Sequence, residues 1–316
     1  MKPPSSLLLC AIAWSIAATG CYETPEFTSD SLVDRPRILA VVADPPEVTP
    51  STSVGLRVLV AGAGDVSVQW RACSTFSSFN ASGAQYGENT GDRGCAANSM
   101  ALGSGSLVQV PREIIAVLLA DDRLVTAALG GVQLPAGTLE QVRNSVGVAF
   151  SLEAEVNADG KRLRALKRVV VSYNPQPGTN PPPPAFRIGE RAVRARDVES
   201  FLCTPDEPEP VRVEPGQEVE LAPLFDGPEE PWLETYNVLD GRGMLGERRE
   251  QGFYSWYASR GQLDDGTTQA PDRTNRWRAP ASAGCAQLWL VVRDGHAGES
   301  ACGVSVSVGD VDNCGP

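Results

Sequence analysis

The chain has 316 residues, with 27 Lys and Arg against 39 Asp and Glu, and a formal charge of −12. That balance repels phosphate backbones and anionic headgroups and argues against nucleic acid as a partner. A single His leaves little for acid–base chemistry, while 31 Gly, 25 Pro and scarce helical periodicity describe a loop-rich β protein.

Residues 1–20 have the parts of an export signal. Lys2 is their one charge, and Leu7 to Ala18 (LLLCAIAWSIAA) is a twelve-residue apolar stretch. It is too short to span a bilayer and suits a signal h-region. Ala18-Thr19-Gly20-Cys21 resembles a bacterial lipobox, with Gly20 and Cys21 in place and Thr19 departing from the usual residue. The resemblance implies loss of residues 1–20, lipidation at Cys21 and contact with a membrane through that anchor. Two or three acyl tails, at about 0.8 kcal/mol per buried methylene, give a stable attachment. The alternative is ordinary cleavage near Gly20 with Cys21 left as a thiol. Tyr22 stands where an Asp would resemble an inner-membrane retention signal, which points to the outer membrane, periplasmic or surface-exposed.

Residues 21–35 are polar and aperiodic and read as a flexible tether. A first domain follows over 36–173. Ile38–Val42 is a strand, Val54–Val60 alternates as a half-buried strand, and Val66–Cys73 alternates again, with Trp70 as a core anchor. A Gly/Ser/Asn-rich excursion contains Cys95. Pro111–Asp121 and Thr138–Asn144 are helical turns, Thr138 being an N-cap with Gln141 three residues on. Val148–Val156 and Leu163–Val171 flank an Asp159-Gly160 turn and form a hairpin.

Residues 174–184 (NPQPGTNPPPP) are a Pro-rich linker, an extended semi-rigid spacer. The second domain covers 185–316. Val211–Leu221 reads strand, Pro215-Gly216 turn, strand. Gly252–Tyr257 is a central strand carrying Trp256, Arg276–Pro280 a short one, and Cys285–Arg293 with Ala301–Val308 a closing hairpin in which Val304, Val306 and Val308 face a core.

A strand with a central Trp, a later Trp277-Arg278-Ala279-Pro280, a long apolar strand ending Val292-Arg293-Asp294-Gly295 and an alternating last strand resemble the tail of a bacterial Ig-like sandwich. The whole is similar to bacterial surface lipoproteins with tandem Ig-like domains, a group of unknown function. The resemblance implies an all-β fold of two Ig-like β-sandwich domains in tandem, the first with a helical and loop insertion. It implies a non-catalytic envelope or cell-surface protein in a structural or adhesive role. The alternative is a lipoprotein that binds a glycan or a Ca²⁺-dependent ligand.

No residue set points to catalysis. Any Ser-His-Asp arrangement must use His296, which lies in the Gly-flanked turn DGHAG and reads as a solvated loop residue. Glu229-Glu230 and Asp264-Asp265 read as solvated loop charges. No cofactor motif occurs. Asp310 and Asp312 offer weak Ca²⁺ ligands near the chain end, without the spacing of a known loop. Phe76, Phe79 and Tyr86, set among Ser, Gly and Asn, make a candidate binding loop for an unknown protein or glycan, or else cover a core edge.

With Cys10 in the signal and Cys21 lipidated, six cysteines remain, an even number that reads as three disulfides in an oxidising compartment. Cys73 and Cys95 alone precede the linker and are expected to pair. For the rest, the Ig-like resemblance favours Cys203–Cys302 with Cys285–Cys314, since a hairpin turning near His296 sets Cys285 opposite roughly Ser307. Cys285–Cys302 with Cys203–Cys314 stays open.

Overall fold

The computed structural model describes residues 30–73, 99–129, 137–196, 200–225, 230–240, 243–311 and 314–315. In chain order the first strands are β1 (Arg37–Asp44), β2 (Glu47–Val48), β3 (Val54–Ala61), β4 (Val66–Cys73), β5 (Ser99–Ser104) and β6 (Leu107–Val110). Helices α1 (Arg112–Ala120), α2 (Asp122–Ala128) and α3 (Thr138–Gln141) follow, with a π-turn over Val142–Val146, then β7 (Val148–Ala158) and β8 (Lys161–Val171). The second half holds β9 (Ala185–Ile188), β10 (Arg191–Ala195), β11 (Cys203–Pro205), β12 (Val211–Val213), β13 (Glu218–Pro223), β14 (Thr235–Leu239) and β15 (Leu245–Arg249). It ends with β16 (Phe253–Ala258), β17 (Gln262–Leu263), β18 (Thr267–Gln269), β19 (Asn275–Arg278), β20 (Gly284–Arg293) and β21 (Glu299–Val308).

The fold is all-β and the two halves repeat one plan. In the first, a β1-β3-β6 sheet faces a β2-β8-β7-β4-β5 sheet; in the second, β11-β10-β9-β13-β19-β17 faces β12-β21-β20-β16-β18. Each half pairs a short early strand in parallel with its last strand, β2 with β8 and β12 with β21. Each places its last three long strands side by side, and each buries a Trp on the third of them, Trp70 on β4 and Trp256 on β16, both 1% exposed. That is the strand order and Trp position of an Ig-like sandwich.

Several local expectations change. Val54–Val60 is buried on both faces, not one: Leu56 and Val58 enter the first core, while Leu59 and Ala61 enter a second apolar layer described below. Thr138 is the first helical residue and not the cap; Gly137, at φ 83°, holds the cap position and no side chain caps the helix. The helix α2 had no clear sequence signal. The strands on either side of Pro215-Gly216 do not pair with each other, because β12 joins β21 while β13 crosses to the other sheet beside β19 and β9. The Asp159-Gly160 turn has φ 49° and 77°, the left-handed pair a tight hairpin demands. The Asp159 carboxylate also accepts the Gly64 and Asp65 amides at 3.2 and 3.0 Å, tying the hairpin to the start of β4.

The tether and the spacer both prove to be packed structure where they are described. Val33 N–H donates to the Ala258 carbonyl at 2.8 Å, and Ala258 N–H to the Ser31 carbonyl at 2.9 Å. Residues 31–33 thus run along the end of β16 in the far sandwich, and Val33 is 4% exposed. The Pro-rich stretch lies in the groove between the sandwiches. Gly178 N–H donates to Glu47 Oε2 at 2.7 Å, Asn180 Nδ2 to the Ala43 carbonyl at 2.8 Å, and Glu299 N–H to Asn180 Oδ1 at 2.9 Å. A spacer with both faces hydrated would leave these groups to water; here they bridge the two halves.

Candidate functional site

The outer faces of two sheets meet. On β1 a bulge at Leu39 turns Leu39 and Ala40 the same way, and with Val42 and Ala61 they pack against Trp289, Val291 and Ala301 of β20 and β21. The layer is sandwiched because β20 and β21 bury both faces: Leu288, Leu290, Val304 and Val306 fill the second core, and the intervening residues fill the junction. Burial of this kind contributes about 25 cal/mol per Å².

At one end the layer opens into a cleft of about 900 Å³. Its walls are Val58–Val60 of β3, Val66–Val68 of β4, the Ser104-Gly105-Ser106 turn, Ser200–Pro205, and the outer face of β20 and β21 around Gln287, Trp289 and Ser305. The Trp289 indole packs against Gly303, where a Cβ would come within 2.3 Å of it. Phe201, at φ 54°, and Leu202 dock on β21 through the Gly303 N–H to Phe201 carbonyl bond of 2.9 Å. The Cys203–Cys302 pair, with Cα atoms 5.3 Å apart, fixes that segment to β21. Cys285 and Cys314, 5.4 Å apart, hold the chain end beside the cleft. In the hairpin register Cys285 stands opposite Ser307 and Leu290 opposite Cys302. None of the lining residues is ionisable apart from cysteines in disulfides; the surface offers hydroxyls, amides and apolar faces.

The other end of the junction is polar and charged. Lys167, 2% exposed, reaches Glu299 at 3.3 Å, and Arg293 Nη2 reaches the same carboxylate at 2.8 Å while also donating to the Leu39 carbonyl at 3.1 Å. Asp294 accepts the His296, Ala297 and Gly298 amides at 2.7, 3.1 and 2.8 Å, yet burial lifts its pKa to about 6. Glu250, buried and near the Asp294 charge, rises to about 8. His296 falls to about 4 through burial, with Arg168 acting in the same direction.

No protein-family model matches the chain, and no curated protein matches it. Among solved structures the chain is similar to the D0-D1 domain of intimin, at 9% identity over 86% of this chain and 98% of that one, TM-score 0.20. It is similar to a Bacteroides ovatus mixed-linkage glucan utilization locus protein, SGBP-B, solved with a mixed-linkage heptasaccharide, at 12% identity over 88% of this chain and 48% of that one, TM-score 0.19. The D00-D0 domain of intimin matches at 8% identity over 88% and 99%, TM-score 0.21. Overlays at this level decide nothing by themselves, and the fold assignment rests on the strand order above.

Of the residues singled out in the sequence, Cys21, Phe76, Phe79, Tyr86, Cys95 and Asp312 lie outside the described residues. Cys73 ends β4. Asp310 is exposed, and among the described residues no group of three or more His, Cys, Asp or Glu is arranged to hold a metal ion. His296 is not a solvated loop residue: its ring stacks on Tyr236 at 3.9 Å, and Nδ1 lies 3.8 Å from Glu250 Oε1. Glu230 is not a solvated charge either. It is 4% exposed and accepts Arg273 Nε at 2.8 Å, Arg273 Nη2 at 3.1 Å and the Tyr254 hydroxyl at 2.7 Å. Burial pushes its pKa up, and these hydrogen bonds outweigh that and hold it below the usual value. The cleft and the charged junction were not foreseen, because both depend on which outer faces of the two sandwiches touch. The one available signal was the double-sided apolar character of β1 and β20.

Proposed function

We propose that this protein is a non-catalytic, lipid-anchored envelope or cell-surface protein, held at the outer membrane through Cys21, in which two joined Ig-like sandwiches serve a structural or adhesive role. The observation that carries the reading is the junction. An apolar layer, a bridging linker and a buried ion pair fasten the two sandwiches together, and the cleft of about 900 Å³ at one end of that layer carries no general acid, base or free nucleophile. Such a site is suited to contact and recognition rather than to chemistry.

A second reading assigns the cleft itself to a neutral glycan. Its hydroxyls, amides and Trp289 supply hydrogen bonds and apolar faces without charge. A glycan array probed with residues 22–316 separates the two. Selective retention of uncharged oligosaccharides, lost on Trp289→Ala with the fold intact by circular dichroism, is the result that favours glycan recognition. No retention on any glycan favours the adhesive or structural role with a protein partner.

A further inference from the structure

Arg57 departs from the rule that a buried charge is paired or hydrogen-bonded. It points from β3 into the junction, level with Val42 across the strand pair, and is 8% exposed. Among the described residues its Nη1 has no hydrogen-bond partner, and no carboxylate lies within ion-pair distance. Other buried guanidinium nitrogens without a hydrogen bond are Nε atoms of Arg143, Arg164, Arg168, Arg191 and Arg293, and each of those side chains bonds or pairs through other nitrogens. Arg57 instead lies over the Phe201 ring at 5.4 Å, which eases its charge but accepts no strong hydrogen bond. In a chain of formal charge −12 a lone buried cation needs an explanation.

Beside it is a recess of about 240 Å³, between β1, β3, the Pro181–Pro184 run and the start of β21. Its polar groups are already engaged within the protein: Asn180 bridges Ala43 and Glu299, Thr179 Oγ1 donates to Glu234 Oε1 at 2.6 Å, and Ser300 Oγ donates to the Pro182 carbonyl at 3.0 Å. What remains for a ligand is one guanidinium and walls of pyrrolidine rings and Phe201. Asp44 and Glu299 also border the recess, the second already matched by Lys167 and Arg293. Each further negative charge on a ligand would add repulsion from these carboxylates, so a single carboxylate directed at Arg57 suits the recess better than a dianion.

We infer that this recess is a binding site for a small monocarboxylate with an apolar body, its carboxylate taken by Arg57 and its body packed on Pro181–Pro184 and Phe201. The carboxylate supplies the missing charge-assisted hydrogen bond, which is the strong class of such bonds. The inference is independent of what the larger cleft binds, which lies on the far side of Phe201.

Isothermal titration and thermal melting with butyrate, butyramide, D-glucuronate and phosphate at matched ionic strength test it. Butyrate is expected to bind saturably and raise the melting temperature, with butyramide and phosphate silent and glucuronate weaker. Arg57→Gln is expected to weaken butyrate about tenfold or more. Should that variant not fold, Arg57→Lys keeps the charge without the fork and is expected to show a similar loss. Absence of saturable butyrate binding overturns the inference. So does an equal response to butyramide or phosphate, a tighter response to glucuronate, or butyrate binding unchanged in the folded variant.

Discussion

Glu250 shows how much one side chain depends on its surroundings. It follows β15, accepts the Glu234 amide at 2.9 Å and is lifted to about 8 by burial and the nearby Asp294 charge. A carboxyl with a raised folded pKa binds its proton more tightly in the native state, so stability falls as pH climbs from the ordinary Glu value of 4.5 to about 8. Asp294 acts in the same sense between 3.8 and about 6. His296, lowered to about 4, acts oppositely and removes stability as pH falls from 6.5. Glu250→Gln keeps an oxygen for the Glu234 amide and discards the titration. The variant is expected to gain on the wild type steadily from pH 5 to 8, by on the order of a few kcal/mol at the upper end, and to run parallel above that. Urea unfolding across this range checks it, and a pH-independent difference would refute the assignment.

The Pro-rich segment shows the same dependence at the scale of an element. Its composition favours an extended chain, but four consecutive prolines leave no amide to donate, so its few polar groups decide where it lies. Asn180 is the decisive one, spanning Ala43 of one sandwich and Glu299 of the other. The turn it touches is closely fitted: a Cβ on Gly298 would fall 2.0 Å from Asp294 Oδ2 and 2.9 Å from the Thr179 carbonyl. Asn180→Ala orphans a carbonyl and the amide of buried Glu299, so a loss of ~1–3 kcal/mol per group is expected. Denaturant melts that leave the variant within ~0.5 kcal/mol of the wild type would show that water replaces the bridge without penalty.

At the scale of the whole molecule, the start of the described chain matters as much as the junction. Ser31 to Val33 pair with Ala258, and Arg37 Nη1 donates to the Leu32 carbonyl at 2.9 Å, so residues 31–33 lie along the C-terminal sandwich just before the chain builds the N-terminal one. Nine residues separate Cys21 from Ser31, so the acyl group proposed at Cys21 would lie at most about 30–35 Å from that edge. Cys21→Ser is expected to move the protein from the membrane to the soluble fraction. Intact mass of the membrane-bound wild type should give an N-terminus at acylated Cys21; a mature N-terminus elsewhere would end the lipoprotein reading. Among the described residues no helix is long and apolar enough to cross a membrane.

Elements with a local cause could be read from the amino-acid pattern. Alternation and turn residues gave β4, the β7–β8 hairpin and the closing hairpin, whose tight turn set the register that puts Cys285 opposite Ser307. Trp70 and Trp256 marked the two cores, because large apolar side chains on alternating strands have one face to enter. What the outer faces meet depends on contacts between residues far apart in the chain. A continuous apolar run such as Ile38–Val42 is equally consistent with one buried face or two, and nothing local says that its second face covers Trp289. For the same reason a Gly-flanked His looked hydrated until Tyr236 arrived from a distant hairpin. Arg57 looked like an ordinary polar position on an alternating strand until a second sandwich closed over it.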